Sequence, residues 1–497
     1  MTYLVTQLSW DFKQFVPVVL SLHGGQGSFY KTQLTLSTSG TAGFNAVAVE
    51  LHYVSSTNSI KGVVTFTLQP AAQLIIPDVV SFLVSKGISI SDPENELGTL
   101  EIDLVGCSAL PSVIARTTTA VGSLGRAGLA YDAVPPTQTF TDTAYVFGLR
   151  QNDTDRSNLA LQNVEFSSSD PIRLRVTVYD GSTSAGFPLP DIDLPPGGFI
   201  QINGILQSYG LSLTQGYSRV ERIAGSSPFY AYGVINDQVT SDGSFVTPMA
   251  DQSPPSSLLL VPSIVESARY SSEVMLANWS SSGKRLQLRY VESQSGVAMS
   301  PVSLELDLKA GEQKLIPDFL DFLRQQGVSG LGQPGAEHTG VLFVSAVGGN
   351  CQQVFVGART STIGLDGHYG VYYAAIPAEQ FSTDSAWIFG LQQDDQNRSN
   401  LALVNTGTTD GTADAFDLEI HNDVGAVSNT VTGLTVPAGG WLQLNSLFAT
   451  YAPQMPQGYA RITRKGGNNP FVTYGIINDG AHPGERTGDG AFIASSP

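Results

Sequence analysis

The chain has 497 residues, a net charge of −18, and only 14% charged residues, against about 25% in an ordinary soluble protein. Its 41% hydrophobic content is enough for packed cores and excludes wholesale disorder; the missing charge is replaced by small polar residues and 52 Gly, a composition that favours strands and turns. A balance this acidic repels phosphate backbones and anionic lipid, so no nucleic-acid partner is expected, and no run of 18 apolar residues offers a membrane span.

Met1–Val16 lacks the basic start and unbroken apolar run of a signal peptide. Thr2, Leu4, Leu8, Trp10 and Phe12 occupy alternate positions of a β-favouring segment there. Such a strand can add to a sheet edge of a neighbouring copy, giving head-to-tail assembly, or serve as an ordinary first strand of its own chain. Further along, Val47, Val49, Leu51 and Tyr53 alternate with polar residues. The same holds for Ile172, Leu174, Val176 and Val178, for Leu286, Leu288 and Tyr290, and for Phe416, Leu418 and Ile420. A period of two buries one face and wets the other, and short runs set between Gly, Pro, Asn and Asp clusters predict β-sandwiches. Two segments depart from this pattern. Pro77-Asp78 through Lys86-Gly87 and Pro317-Asp318 through Gly327 carry helix start and stop signals around i, i+3, i+4 apolar spacing.

The chain is a duplication. Ala144–Asn163 and Ala386–Asn405 share 13 of 20 residues at an offset of 242. The same offset relates Gly125–Pro135 to Gly367–Pro377 and Phe229–Asp237 to Phe471–Asp479. Within the second half, Gly311 onward resembles Gly439 onward, which divides each half again. The predicted fold class is all-β: four tandem antiparallel β-sandwich modules in two duplicated halves, with a short helix in each A module. The boundaries read 1–16 for an N-terminal strand or extension, 17–140 for A1, 141–255 for B1, 256–380 for A2 and 381–497 for B2.

The repeated strand Arg156-Ser-Asn-Leu-Ala-Leu-Gln-Asn163, its copy Arg398–Asn405, Arg359-Thr360 leading to Ile376-Pro377-Ala378, and Pro228-Phe229 leading to Phe245-Val246-Thr247-Pro248 carry a resemblance. The chain resembles the tandem, Ig-like β-sandwich repeats of bacterial secreted and cell-surface proteins of uncharacterised function. The resemblance implies an exported, non-catalytic building block and supplies no catalytic residues.

Candidate chemistry is sparse. Gly330–Gly335 matches a dinucleotide fingerprint in spacing, but Pro334 and a preceding helix signal make it a loop. Asp153 and Asp155, with Asp394 and Asp395 at the repeated position, are candidate calcium ligands on loops, though without EF-hand spacing. The later pairs Asp237 with Asp242 and Asp479 with Asp489 share that reading. The six histidines form no HxH or HExxH pair and read as incidental surface residues. Cys107 and Cys351 fall at equivalent places; a bridge between them is conceivable, but two separate thiols are expected. Trp279, Tyr369, Tyr372 and Tyr373 could stack on sugar rings or pack between sheets. Asn152, Asn278 and Asn397 head glycosylation sequons.

The expected function is a non-catalytic extracellular structural protein, a subunit of a surface layer or fibre that assembles with copies of itself. The alternative is an adhesin or glycan-binding module with a glycan or cell-surface protein as partner. No enzyme activity and no cofactor are expected beyond the possible calcium.

Overall fold

The computed structural model describes residues 10–39, 46–58, 60–109, 111–166, 170–252, 254–294, 297–362 and 367–496. Antiparallel strands dominate, joined by three short α-helices among the described residues. The alternating runs behave as expected. Ile172, Leu174, Val176 and Val178 are buried while Arg173 and Arg175 face solvent, and Phe416, Leu418 and Ile420 are fully buried.

In A1, eight strands form one sheet around a single core. Its first strand, Trp10–His23, corrects the boundary drawn between residues 16 and 17. Phe15, Val16, Val18 and Val19 are all buried in the A1 core, so that boundary falls inside a strand. The strand pairs with Asn95–Cys107 along its length, with a register shift between Val16 and Val19, where Pro17 interrupts the donors. Trp10 and Phe12 lie opposite Cys107 and Leu104 of the same chain, whereas Thr2, Leu4 and Leu8 lie outside the described residues.

Both predicted helices form, at Val79–Ser85 and Phe319–Gln325. Asp78 and Asp318 are their N-caps, accepting from the amides of Ser81 and Asp321. Gly87 and Gly327 follow the last turn at φ +100 and +79, the left-handed exit that glycine favours. Val79, Val80 and Leu83 enter the A1 core, and Phe319, Leu320 and Leu323 the A2 core.

A2 repeats this plan as one ten-stranded sheet, while B1 and B2 each consist of two sheets. B2 adds the helix Leu447–Tyr451, where B1 has a 3-10 turn, Ser208–Gly210.

The modules close on one another rather than string out. A1 shares its core with Ala160, Val164, Tyr230 and Tyr232 of B1, and Ile114 of A1 enters the core of B2. Phe147 and Ile235 of B1 pack with Met275, Trp279 and Phe355 of A2; Phe343 of A2 packs with Val404 and Val472 of B2. Each A module therefore touches both B modules, in the cyclic order A1, B1, A2, B2.

Candidate functional site

The side chains with the most unusual surroundings lie on the two seams that close this cycle, A2 against B1 and A1 against B2. The strand of A2 that carries Arg-Thr, Val354–Thr362, presents Arg359 to B1. The guanidinium is buried: Nε donates to Ser244 Oγ at 2.9 Å, Nη1 to Asp155 Oδ1 at 3.0 Å, and Nη2 lies 3.5 Å from Asp242 Oδ2. Burial works against this charge, but Asp155 and Asp242 outweigh it and hold the guanidinium above its usual range. Beside it, His368 donates its amide to Asp237 Oδ2 at 2.9 Å, and the Gly370 amide donates to Asp242 Oδ2 at 2.9 Å.

The other seam uses the same positions with different chemistry. Arg116, the equivalent of Arg359, donates to Asn397 Oδ1 at 2.7 Å, and Asn397 stands where B1 has Asp155. Arg126, the equivalent of His368, donates its amide to Asp479 Oδ2 at 2.9 Å and Nε to Asp479 Oδ1 at 3.1 Å. Gly128 donates to Asp489 Oδ2 at 2.9 Å, as Gly370 does to Asp242. Burial and the adjacent Arg126 push Arg116 down to about 10. One seam thus sets a carboxylate against Arg359, and the other sets a neutral amide against Arg116.

A second pair of cross-half links repeats the theme. Gln313 of A2 accepts from the amide of Gly148 of B1 at 2.7 Å, and Gln73 of A1 accepts from Gly390 of B2 at 2.8 Å. Both glycines have positive φ, +72 and +76, and a Cβ on Gly148 would stand 2.6 Å from Met275 Sδ. Arg150, fully buried, pairs with Glu273 across the seam; at the equivalent place Gln392 Nε2 donates to Gln33 Oε1 at 2.9 Å.

The four calcium candidates are not brought into one cluster. Asp155 faces Arg359, Asp394 caps its own turn by accepting from the amides of Gln396 and Asn397, and Asp153 and Asp395 stay exposed. Their loops are Asx turns, with Asn152 Oδ1 accepting from the Thr154 and Asp155 amides. Among the described residues, the His and carboxylate group whose ligand atoms come within 4.8 Å of one another is Glu50, His52 and Asp103, on the outer face of A1. His52 Nε2 is 3.3 Å from both carboxylates, and Lys13 Nζ lies 3.8 Å from Asp103.

Cys107 and Cys351 are separate, buried thiols, as expected; burial raises both, Cys107 to about 11. Other expectations change. Trp279, Tyr372 and Tyr373 are buried between modules, so they are not the surface rings that stacking on a sugar requires. Asn278 is buried as well, its amide donating to the carbonyls of Ser282, Leu308 and Lys309, so that sequon is closed to modification in the folded chain. His338 and His421 are core residues rather than surface ones, the first between Glu292 and the Gln333 carbonyl, the second stacked on Tyr459. The arginines and glycines of the seams were legible only as repeated positions.

No family model matches the chain, and no curated protein matches it. Among solved structures, the chain is compared with Thermotoga maritima 1070 at 9% identity, over 26% of this chain and 98% of that one, with a TM-score of 0.18. Escherichia coli alpha-2-macroglobulin activated by porcine elastase aligns at 10% identity over 97% of this chain and 43% of that one, TM-score 0.12. Streptomyces avermitilis alpha-L-rhamnosidase aligns at 9% over 94% and 57%, TM-score 0.11. Scores of this size carry no argument about fold or function.

Proposed function

We propose that the chain is a non-catalytic structural protein at or beyond the cell surface, built from Ig-like β-sandwich repeats, whose copies join into a layer or fibre by strand addition. One edge supports this reading. Among the described residues, Lys61–Leu68 ends the A1 sheet and pairs on one side only, with Val47–Val54, in unbroken register. From Gly62 to Leu68 it carries no charge and no proline, and Val63 is 54% exposed. Its duplicate in A2, Val302–Leu308, carries Glu305 and Asp307 where A1 has Thr65 and Thr67. Charged residues are a common defence of a free edge, and A1 lacks it. A row of open backbone donors and acceptors accepts an extended strand, and the chemistry of a second copy supplies one.

Electron microscopy and sedimentation of the purified chain test this reading. Filaments, sheets or concentration-dependent oligomers are the expected result. A monomer at all protein, salt and calcium concentrations overturns it.

A further inference from the structure

The glycine-rich segment that matches a dinucleotide fingerprint in spacing lies in A2, between the helix Phe319–Gln325 and the strand His338–Ala346. Apart from Val328 and Leu331, which pack against the A2 core, the segment up to residue 337 is exposed. The Val328 amide donates to Leu323 at the end of the helix, and three side chains tie the rest to the module. His338 Nε2 lies 2.9 Å from the Gln333 carbonyl, Arg324 Nε donates to the Gly332 carbonyl at 3.0 Å, and Glu266 Oε1 accepts from the Gly335 amide at 3.3 Å. Gly332 permits this close approach, since a Cβ there would stand 2.3 Å from His338 Cε1.

His338 is 4% exposed, and both of its ring nitrogens face oxygens, Nδ1 standing 3.0 Å from Glu292 Oε1. A carbonyl and an ionised carboxylate only accept, and a neutral imidazole has one N–H to donate. The imidazolium satisfies both at once. Burial works against that charge, but Glu292, the Gln333 carbonyl and Glu266 outweigh it and raise the ring above its ordinary value. The duplicate in A1 closes the same end of its module without a titrating ring. Ile88 and Ile90, both buried in the A1 core, stand where A2 has Val328 and Gly330. Glu96 pairs with Ser21 as His338 pairs with Glu266, and it accepts from the hydroxyls of Tyr53 at 2.6 Å and Ser55 at 2.5 Å.

We propose that residues 328–337 form a pH-sensitive strap over one end of A2, closed while His338 carries both ring protons and released when it loses one. The clamp is complete below the ordinary histidine range and is lost as pH rises through the higher value of the folded ring. Release frees Val328 and Leu331 from the core and bares that end of the module to solvent. The other titratable or charged groups around the ring are Tyr290 and Glu292 on one strand, Glu266 on another, Arg324 on the helix with Asp318 and Asp321 beyond it, and Glu337 in the segment itself. Burial raises Tyr290 far above its ordinary value. Burial opposes the charge of Glu266, but Arg324 prevails and holds it below its own, so neither titrates between pH 6 and 9.

Millisecond hydrogen–deuterium exchange of the full chain at pH 6 and pH 9, with each rate corrected for the intrinsic effect of pH, tests this. The Gly335 and Ala336 amides, bonded to Glu266 and Gln333, report on the strap. Their protection is expected to fall about tenfold or more at pH 9, the effect of losing one charge-assisted bond, while residues 88–95 of A1 keep theirs. Glu292→Gln offers a neutral ring an amide donor at Nδ1 and leaves Nε2 to donate to Gln333. Protection in that variant is expected to persist at pH 9. Equal protection of the native strap at both pH values, a parallel loss over residues 88–95, or a native pH response in Glu292→Gln overturns the proposal. Should the variant fail to fold, the comparison of the two segments in the native chain decides.

Discussion

Asp242 and Asp489, contributed by opposite halves of the chain, are both buried and close enough that each perturbs the carboxyl group of the other. Their Oδ2 atoms accept from Gly370 and Gly128, and their Oδ1 atoms have no hydrogen-bond partner. Two neighbouring buried carboxyl groups attract only if a proton is shared between them. Burial, opposed by the charge of Arg359, leaves Asp242 raised to about 6; burial and Asp242 hold Asp489 well above the carboxylate range. The folded pair keeps a proton that the unfolded chain releases near pH 4. Its contribution is complete below that pH and is lost as pH rises through 6 and beyond. For Asp242 alone the difference is on the order of 3 kcal/mol. Asp489→Asn replaces the shared proton with an amide donor. Its melting temperature is expected to exceed the native one by a margin that widens from pH 5 to pH 8. Parallel melting curves across that range would rule out a shared proton.

The two seams are expected to respond unequally to loss of Arg359 and Arg116. Arg359→Gln leaves Asp155 and Asp242 buried without a cation, a loss of about 3–5 kcal/mol for a broken buried pair. Arg116→Gln removes a bond to the neutral side chain of Asn397, a loss nearer 1–3 kcal/mol. Urea unfolding of the two variants checks the order. Equal midpoints would show that charge matching at Asp155 contributes nothing.

Transplanting the A2 defence onto A1 addresses assembly directly. Thr65→Glu with Thr67→Asp reproduces Glu305 and Asp307 on the open edge, at positions facing Glu50 and Ala48 across the register. Oligomers seen for the native chain are expected to disappear while the fold, read by circular dichroism, is retained. Oligomers that persist in the double variant place the contact elsewhere.

Asp78 combines a cap with an ion pair. It accepts from the Ser81 amide at 3.0 Å and lies 2.8 Å from Lys31 Nζ. Burial opposes its charge, but these two bonds prevail and hold the carboxyl below its usual value. Asp78→Ala is expected to cost about 1–2 kcal/mol. The sign of the native shift means that this difference is present above pH 4 and fades as pH falls through the carboxylate range. A thermal melt at pH 7 and pH 3 checks both parts.

The strands, the two A-module helices and the duplication were legible in one dimension, because period-two burial, Pro-Asp and Lys-Gly punctuation and a constant offset are local signals. The seams were not. The offset equated Arg116 with Arg359 and Asp237 with Asp479, but no local pattern says that an A module meets the B module of the other half. Trp279 and Tyr372 illustrate the same gap: both belong to a buried cluster that Phe147 and Ile235 of B1 complete. The boundary at residue 16 failed for a related reason. Repeat identity begins after it, whereas the burial of Phe15 and Val16 depends on strands about 85 residues away.

The cyclic order of the modules also bears on how such a molecule can be divided. Each seam joins an A module to a B module, the two B modules meet at Asp242 and Asp489, and the two junctions within the halves mirror each other, as do the two seams between them. A chain of half the length, one A followed by one B, therefore carries both mating surfaces of the closing seam. Two such chains related by a twofold axis satisfy every junction that the single chain satisfies. The full-length molecule is, in geometric terms, a symmetric dimer whose subunits share one backbone. That linkage is what permits Asp155 and Asn397 to differ: positions that symmetry would hold identical are free to take separate roles.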